Sequence, residues 1–300
     1  MAVPQVILPI FLLIILGYGL ARRGPLKPEI NKGLSSITFT LFMPMVLFTG
    51  MASAPLHEGL NVTILAAYFV PALLIFALVN GVTHHFVGHP TPYGLTAAFA
   101  NNALIGIPLV AGLFGSGGLV LLFTVLAVHS LLLFSFQSLY NSLAGDEPFK
   151  ASTLVASLAN PMIIGLLAGV ALNLSDLHLP GPLMQLAQWL AQAALPCALI
   201  VLGANLAGFR LRPSTEALGM TIAKLLVMPA LVLGACLLLG VTGMPRAVLV
   251  LMAAGPCGVN TLGFSRTLED SQKASSAICL TTVLSAATLP GWMWINGLVG

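Results

Sequence analysis

Along the chain, apolar runs of about twenty residues alternate with short polar segments. They occupy 3–21, 33–52, 62–82, 92–115, 117–140, 152–173, 186–207, 217–240, 245–268 and 273–297. About twenty apolar residues cross the hydrocarbon core of a bilayer as one helix. The runs are continuous and lack the period-two alternation of a lipid-facing strand, which argues against a barrel. The pattern therefore predicts an all-α integral membrane protein with ten transmembrane helices. The first run is expected to stay as the first of them, because Met1 to Pro9 holds no basic segment of the kind that opens a signal peptide.

Composition agrees with lipid as the solvent: 58% of the 300 residues are hydrophobic and 6% are charged, a balance foreign to a soluble domain of this size. No long hydrophilic stretch interrupts the runs, so no separate soluble domain is expected. Cys197, Cys236, Cys257 and Cys279 all fall inside apolar runs without metal-ligand spacing and read as small packing residues. Neither a metal, a cofactor nor a nucleic acid partner is indicated; membrane lipid is the implied surrounding.

Charge fixes an orientation. Ten spans place Arg22, Arg23, Lys27, Lys32, Lys150, Arg210, Arg212, Arg266 and Lys273 on one face, Arg246 alone on the other, and Lys224 within a span. The positive-inside rule makes the first face cytoplasmic and sets both termini on the periplasmic or extracellular side of a cell inner membrane. Trp189, Trp292 and Trp294 fall at predicted outer ends, and Tyr18, Tyr93 and Tyr140 at inner ends, as interfacial rings do.

The two halves also resemble each other. Pro9, Gly17 and Pro44 recur as Pro161, Gly169 and Pro196, always 152 positions on. An odd number of spans per half turns the second copy upside down, so the expectation is an inverted repeat: residues 1–140 as the first five helices, 141–151 as a cytoplasmic connection and 152–300 as the second five. Two similar halves in opposite orientations can exchange conformations, which suits alternating access.

Spans four and nine do not read as continuous helices. The first carries Asn101, Asn102, Gly106 and Pro108 near its middle, the second Gly255, Pro256, Gly258 and Asn260. Proline removes a donor and clashes with the preceding turn, while glycine and asparagine tolerate irregular backbone. Such backbone survives at membrane depth only beside protein or a watery cavity, so equivalent breaks in both halves point to a substrate site formed by Asn101, Asn102, Gly106, Pro108, Pro256 and Asn260. Half-helix N-termini there would suit a small organic anion. The plainer alternative is that the breaks only shape helix packing, and that Asn102 merely caps a half-helix.

All eight acidic residues lie outside the spans or at their ends, which removes the usual carboxylate proton relay. His129, near the middle of span five, either takes a proton during transport or bonds a neighbouring helix as a neutral group. Lys224 either attracts an anion or snorkels to the cytoplasmic interface. His84, His85 and His89 read as a solvated connection after span three. The clustered groups of a membrane enzyme are missing, so catalysis is not expected; a channel or membrane sensor remains the alternative to a carrier.

The segments ILPIFLLIILGYGLARRG, TLFMPMVLF, NNALIGIPL, NPMIIGLLAGVALN, LPCALIVLGANL and KLLVMPAL, in this order across nearly the whole chain, resemble the auxin efflux carrier family, whose bacterial members include malate and other organic-acid permeases. The resemblance implies a homodimer in which spans one, two, six and seven form a scaffold and spans three to five and eight to ten an elevator-type transport domain, with four and nine crossing at their breaks. It also implies that Asn101 and Asn260 face a substrate carboxylate. The plant carriers place a proline before the first asparagine and carry a long central loop. Here Ala100 stands at that place and the connection is short, which points away from auxin itself.

Overall fold

In lipid, every backbone amide must find its partner within the chain, and a helix does this locally. The computed structural model describes residues 3–53, 61–145, 160–175, 177, 179–209 and 214–299. Among them the regular structure is helical, apart from one isolated backbone bridge. The helices are α1 (Val3–Arg23), α2 (Pro28–Ile37), α3 (Met43–Ala52), α4 (Val62–Val87), α5 (Tyr93–Ala98), α6 (Ile107–Leu143), α7 (Pro161–Leu174), α8 (Gly181–Gly208), α9 (Thr215–Ile222), α10 (Met228–Leu238), α11 (Gly243–Ala254) and α12 (Leu268–Leu298). Among the described residues seven helical stretches are long and apolar enough to cross a membrane, and α7 and α11 are shorter apolar helices. The protein is therefore a multi-span membrane protein. Within α6, Gly115 adopts φ 61°, ψ −151°, a conformation open to glycine but strained for other residues. Lys150, Arg210 and Arg212, used above for orientation, lie outside the described residues.

Prolines decide where the helices widen. Among the described residues three π-helical turns, Thr38–Phe42, Asn102–Gly106 and Ala223–Val227, each end two residues before a proline: Pro44, Pro108 and Pro229. A proline ring collides with the carbonyl four residues back and leaves it without a donor, and a wider turn relieves the collision. For Pro229 that carbonyl belongs to Leu225, and the Trp292 indole Nε1 donates to it at 2.7 Å. Trp292 is thus half-buried and tied to a neighbouring helix, whereas Trp189 and Trp294 are exposed. Trp292→Phe should cost about 1 kcal/mol, seen as a melting temperature lower by a few degrees in detergent.

Helix α4 starts at Asn61, whose side chain accepts from Thr63 N at 2.8 Å, and stops at left-handed Gly88 with φ 79°. Until that glycine nothing ends the helix, so His84 and His85 sit on it and not in a connecting loop. His84 Nδ1 lies 3.1 Å from Tyr140 Oη. At the other charged end, Thr267 and Asp270 form a capping box for α12, and Asp270 also accepts from Tyr93 Oη at 3.0 Å. Arg246 is buried and donates to both the side chain and the backbone carbonyl of Asn296.

The chain divides into two compact units. One comprises Met1–Leu60, Ile107–Ala127 and Leu158–Gly208; the other Asn61–Gly106, Val128–Ser157 and Phe209–Gly300. In the first, α1 packs chiefly on α8 and α3 on α7. Glycines let these backbones touch: a Cβ on Gly17 would strike the backbone of Ile200, and one on Gly169 the backbone of Phe48. Moving each partner by 152 positions turns the first pair into the second. Gly203 meets the Ile14 carbonyl and Gly165 that of Pro44 in the same manner. In the second unit, α4, α5 and α9 to α12 surround the isolated bridge.

Candidate functional site

The bridge joins two places where helix gives way to extended backbone. Helix α5 ends at Ala98, and Phe99 is extended at φ −84°, ψ 110°. Helix α11 ends at Ala254, with Gly255 at φ −61°, ψ 155°. Between them Ala100 pairs antiparallel with Cys257: Asn101 N donates to the Pro256 carbonyl at 2.8 Å and Gly258 N to the Phe99 carbonyl at 2.9 Å. Amides released where α5 and α11 end thus satisfy one another, which is the condition for irregular backbone in an apolar interior. Beyond the bridge the chain re-enters helical turns at Asn102–Gly106 and, as a 3-10 turn, at Val259–Phe264.

Side chains complete the pairing. Cys257 N donates to Thr281 Oγ1 at 3.1 Å, and Thr96 Oγ1 donates to Thr261 Oγ1 at 3.2 Å. Glycine at 258 leaves room for the Phe99 ring, which a Cβ there would strike unless the ring moved. Lys224 is fully buried and its Nζ donates to the Ala253 carbonyl at 2.6 Å. The ammonium therefore stands at the C-terminal, negative end of α11 and does not reach the interface, an arrangement the helix dipole favours.

Of the predicted site residues, the second unit holds all but Pro108. Asn101 and Asn102 are buried, at 6% and 1% exposure; Gly106 closes the π turn and is buried; Pro256 lends its carbonyl to the bridge; Asn260, in the 3-10 turn, is exposed. His129 is fully buried with the Phe99 ring 4.4 Å from its own. Asn101 Nδ2, Asn102 Oδ1 and His129 Nδ1 are buried polar atoms without a hydrogen-bond partner among the described residues. A buried group left so costs about 1–3 kcal/mol, so three of them together call for a physical reason.

A family model described as membrane transport protein matches residues 2–293. The chain belongs to the membrane transport protein family. This is the auxin efflux carrier grouping that the sequence motifs resemble. A protein of Rhizobium meliloti (strain 1021) named "Putative malonate transporter" is 28% identical over 301 residues, spanning 96% of this chain and 94% of that protein. An uncharacterized transporter of Methanothermobacter thermautotrophicus is also 28% identical, spanning 96% of each chain. One from Methanocaldococcus jannaschii is 24% identical, over 97% of this chain and 98% of its own.

This membrane transporter holds one residue beside the bridge that the sequence does not single out. Tyr68, fully buried on α4, lies between Asn102 and His129. Of the four tyrosines it is the one outside the predicted span ends, and a phenol that deep in an apolar run needs a polar partner. That was the available signal. Thr281 and Thr261 carried none, since a buried threonine commonly bonds its own helix.

Proposed function

We propose that the protein is a secondary transporter moving a small organic anion, a carboxylate such as malate or malonate, by elevator-type alternating access, with the substrate bound at the crossover. The observation carrying this reading is the bridge itself: two interrupted helices meet at Ala100 and Cys257, with unpartnered amide groups of Asn101 and Asn102 beside them. Lys224 adds positive charge at the end of α11, and malonate enters through the name of the Rhizobium relative.

The finer architecture belongs to the same proposal. It has ten spans in two inverted halves, spans one, two, six and seven as scaffold, a homodimer in the cell inner membrane, and both termini outside. The matched glycine contacts Gly17–Ile200 and Gly169–Phe48, related by the 152-residue shift, support the duplication. The separation of the chain into two compact units supports a scaffold and a carrier.

Uptake of labelled malate, malonate, succinate, lactate and indole-3-acetate into proteoliposomes tests it. Saturable uptake of one acid with counterflow is expected; ion currents that do not saturate would replace the carrier by a channel. Joint substitution Asn101→Ala and Asn260→Ala should lower uptake at least about tenfold, since each lost hydrogen bond to a charged ligand is worth roughly 1.5–3 kcal/mol. Unchanged uptake would remove the crossover as the site.

A further inference from the structure

Asn102, Tyr68 and His129 form a buried hydrogen-bonded chain. Asn102 Nδ2 donates to Tyr68 Oη at 3.2 Å, and Tyr68 Oη lies 3.4 Å from His129 Nε2. A phenol has one proton. When it accepts from Asn102 it donates to Nε2, which places the remaining imidazole proton on Nδ1 and leaves Asn102 Oδ1, an acceptor, as the free end of the amide. The position of one proton on the ring therefore decides what the asparagine offers at the crossover.

We propose that this chain couples a proton on His129 to carboxylate binding at Asn102, with Tyr68 as the positioning residue, so that the transporter carries a proton and an anion together. The proposal rests on reading the crossover as a carboxylate site. A protonated imidazole holds hydrogen on both nitrogens, so Nε2 donates to Tyr68 Oη. The phenol proton then points to Asn102, whose amide rotates to accept it through Oδ1 and presents Nδ2 as the free end. Neutral His129 with its hydrogen on Nδ1, the tautomer that goes with the Asn102-to-Tyr68 bond seen here, thus turns an acceptor toward the ligand and repels a carboxylate, while the protonated ring turns a donor toward it. Only the proton is exchanged with water, entering with the anion and leaving with it. Linkage makes the effect mutual: the bound carboxylate favours the proton as much as the proton favours the carboxylate.

The surroundings select the ligand further. Packed on the His129 ring are Tyr68 and Phe69 from α4 and Phe99 from the bridge, and the charge that acts on it is the Lys224 ammonium, whose like sign opposes a second positive charge until an anion offsets it. The acidic residues of the sequence lie outside the spans or at their ends. Charged His129 and Lys224 together match the two charges of a dicarboxylate, and a loaded site without net charge has the lowest desolvation cost in an apolar interior. The site therefore takes a dicarboxylate dianion with one proton.

The test uses the full chain in liposomes loaded with a pH dye and supplied with labelled malonate. Wild-type protein should acidify the lumen by one proton per malonate and accumulate malonate along an inward proton gradient. Tyr68→Phe should still exchange internal for external malonate, with KM raised about tenfold because Asn102 is no longer held, yet lose both gradient-driven accumulation and the pH dependence of uptake. His129→Gln, which can accept from Tyr68 but cannot hold the charge, should lose the same two properties. Full proton-driven accumulation in both variants, or wild-type uptake without lumen acidification, would overturn the coupling. Wild-type protein that takes up no carboxylate would instead overturn the substrate reading beneath it.

Discussion

Gly17→Val should yield little folded protein. A Cβ at Gly17 would lie on the Ile200 carbonyl carbon and oxygen, which are backbone and cannot swing aside as a side chain would. Helices α1 and α8 would have to separate along the main packing surface of their unit, at a cost of about 3 kcal/mol or more. The measurement is the monodisperse fraction in size-exclusion chromatography together with the melting temperature. Gly19→Val is the control: two positions on, a Cβ meets nothing within 4 Å, so this protein should behave as wild type. Equal behaviour of the two variants would mean that the close approach at Gly17 contributes little. Gly169→Val, against the backbone of Phe48, should repeat the loss.

Lys224→Met should abolish most transport while leaving a folded protein. Methionine fills similar space but removes the ammonium at the end of α11 and strands the Ala253 carbonyl. The stranded carbonyl should cost about 1–3 kcal/mol of stability. Losing a buried positive charge beside the proposed anion site should cost about 3 kcal/mol of ligand affinity, roughly a hundredfold in half-saturating concentration. Binding by isothermal titration, alongside thermal melting, separates the two effects. A variant that melts lower but binds its anion as wild type does would assign Lys224 to helix capping alone.

The helical class was legible in the sequence because lipid leaves the backbone few choices, so long apolar runs translate directly into helices. The irregular places around Asn101 and Pro256 were legible because proline and glycine act locally. What escaped is what depends on a partner distant in sequence. Tyr68 reads as one more ring in an apolar run until Asn102 and His129 are brought against it. Trp292 near a predicted span end reads as an anchor, and nothing in the sequence ties its indole to the carbonyl that Pro229 frees at Leu225. For Lys224 the sequence left snorkelling and anion attraction side by side; its burial and its bond to Ala253 place the ammonium inside the unit. Polarity marks His84 and His85 as a loop, whereas the end of α4 is set by the backbone freedom of Gly88.

The π turns before Pro44, Pro108 and Pro229 bear on how these helices tolerate insertion and deletion. A π turn holds one residue more than the α-helical path it replaces, and each residue of an α-helix advances about 100° around the axis and 1.5 Å along it. Deleting one residue from Ala223–Val227 would therefore leave the helix continuous but change the rotational phase between α9 and α10. Either Ala217 and Met220 or Met228 and Val232 would keep their buried face, and the other pair would turn toward lipid. Pro229, two residues after its π turn, thus acts as a phase lock: it holds α9 and α10 out of register, so that both present their own apolar stripe to the same interior.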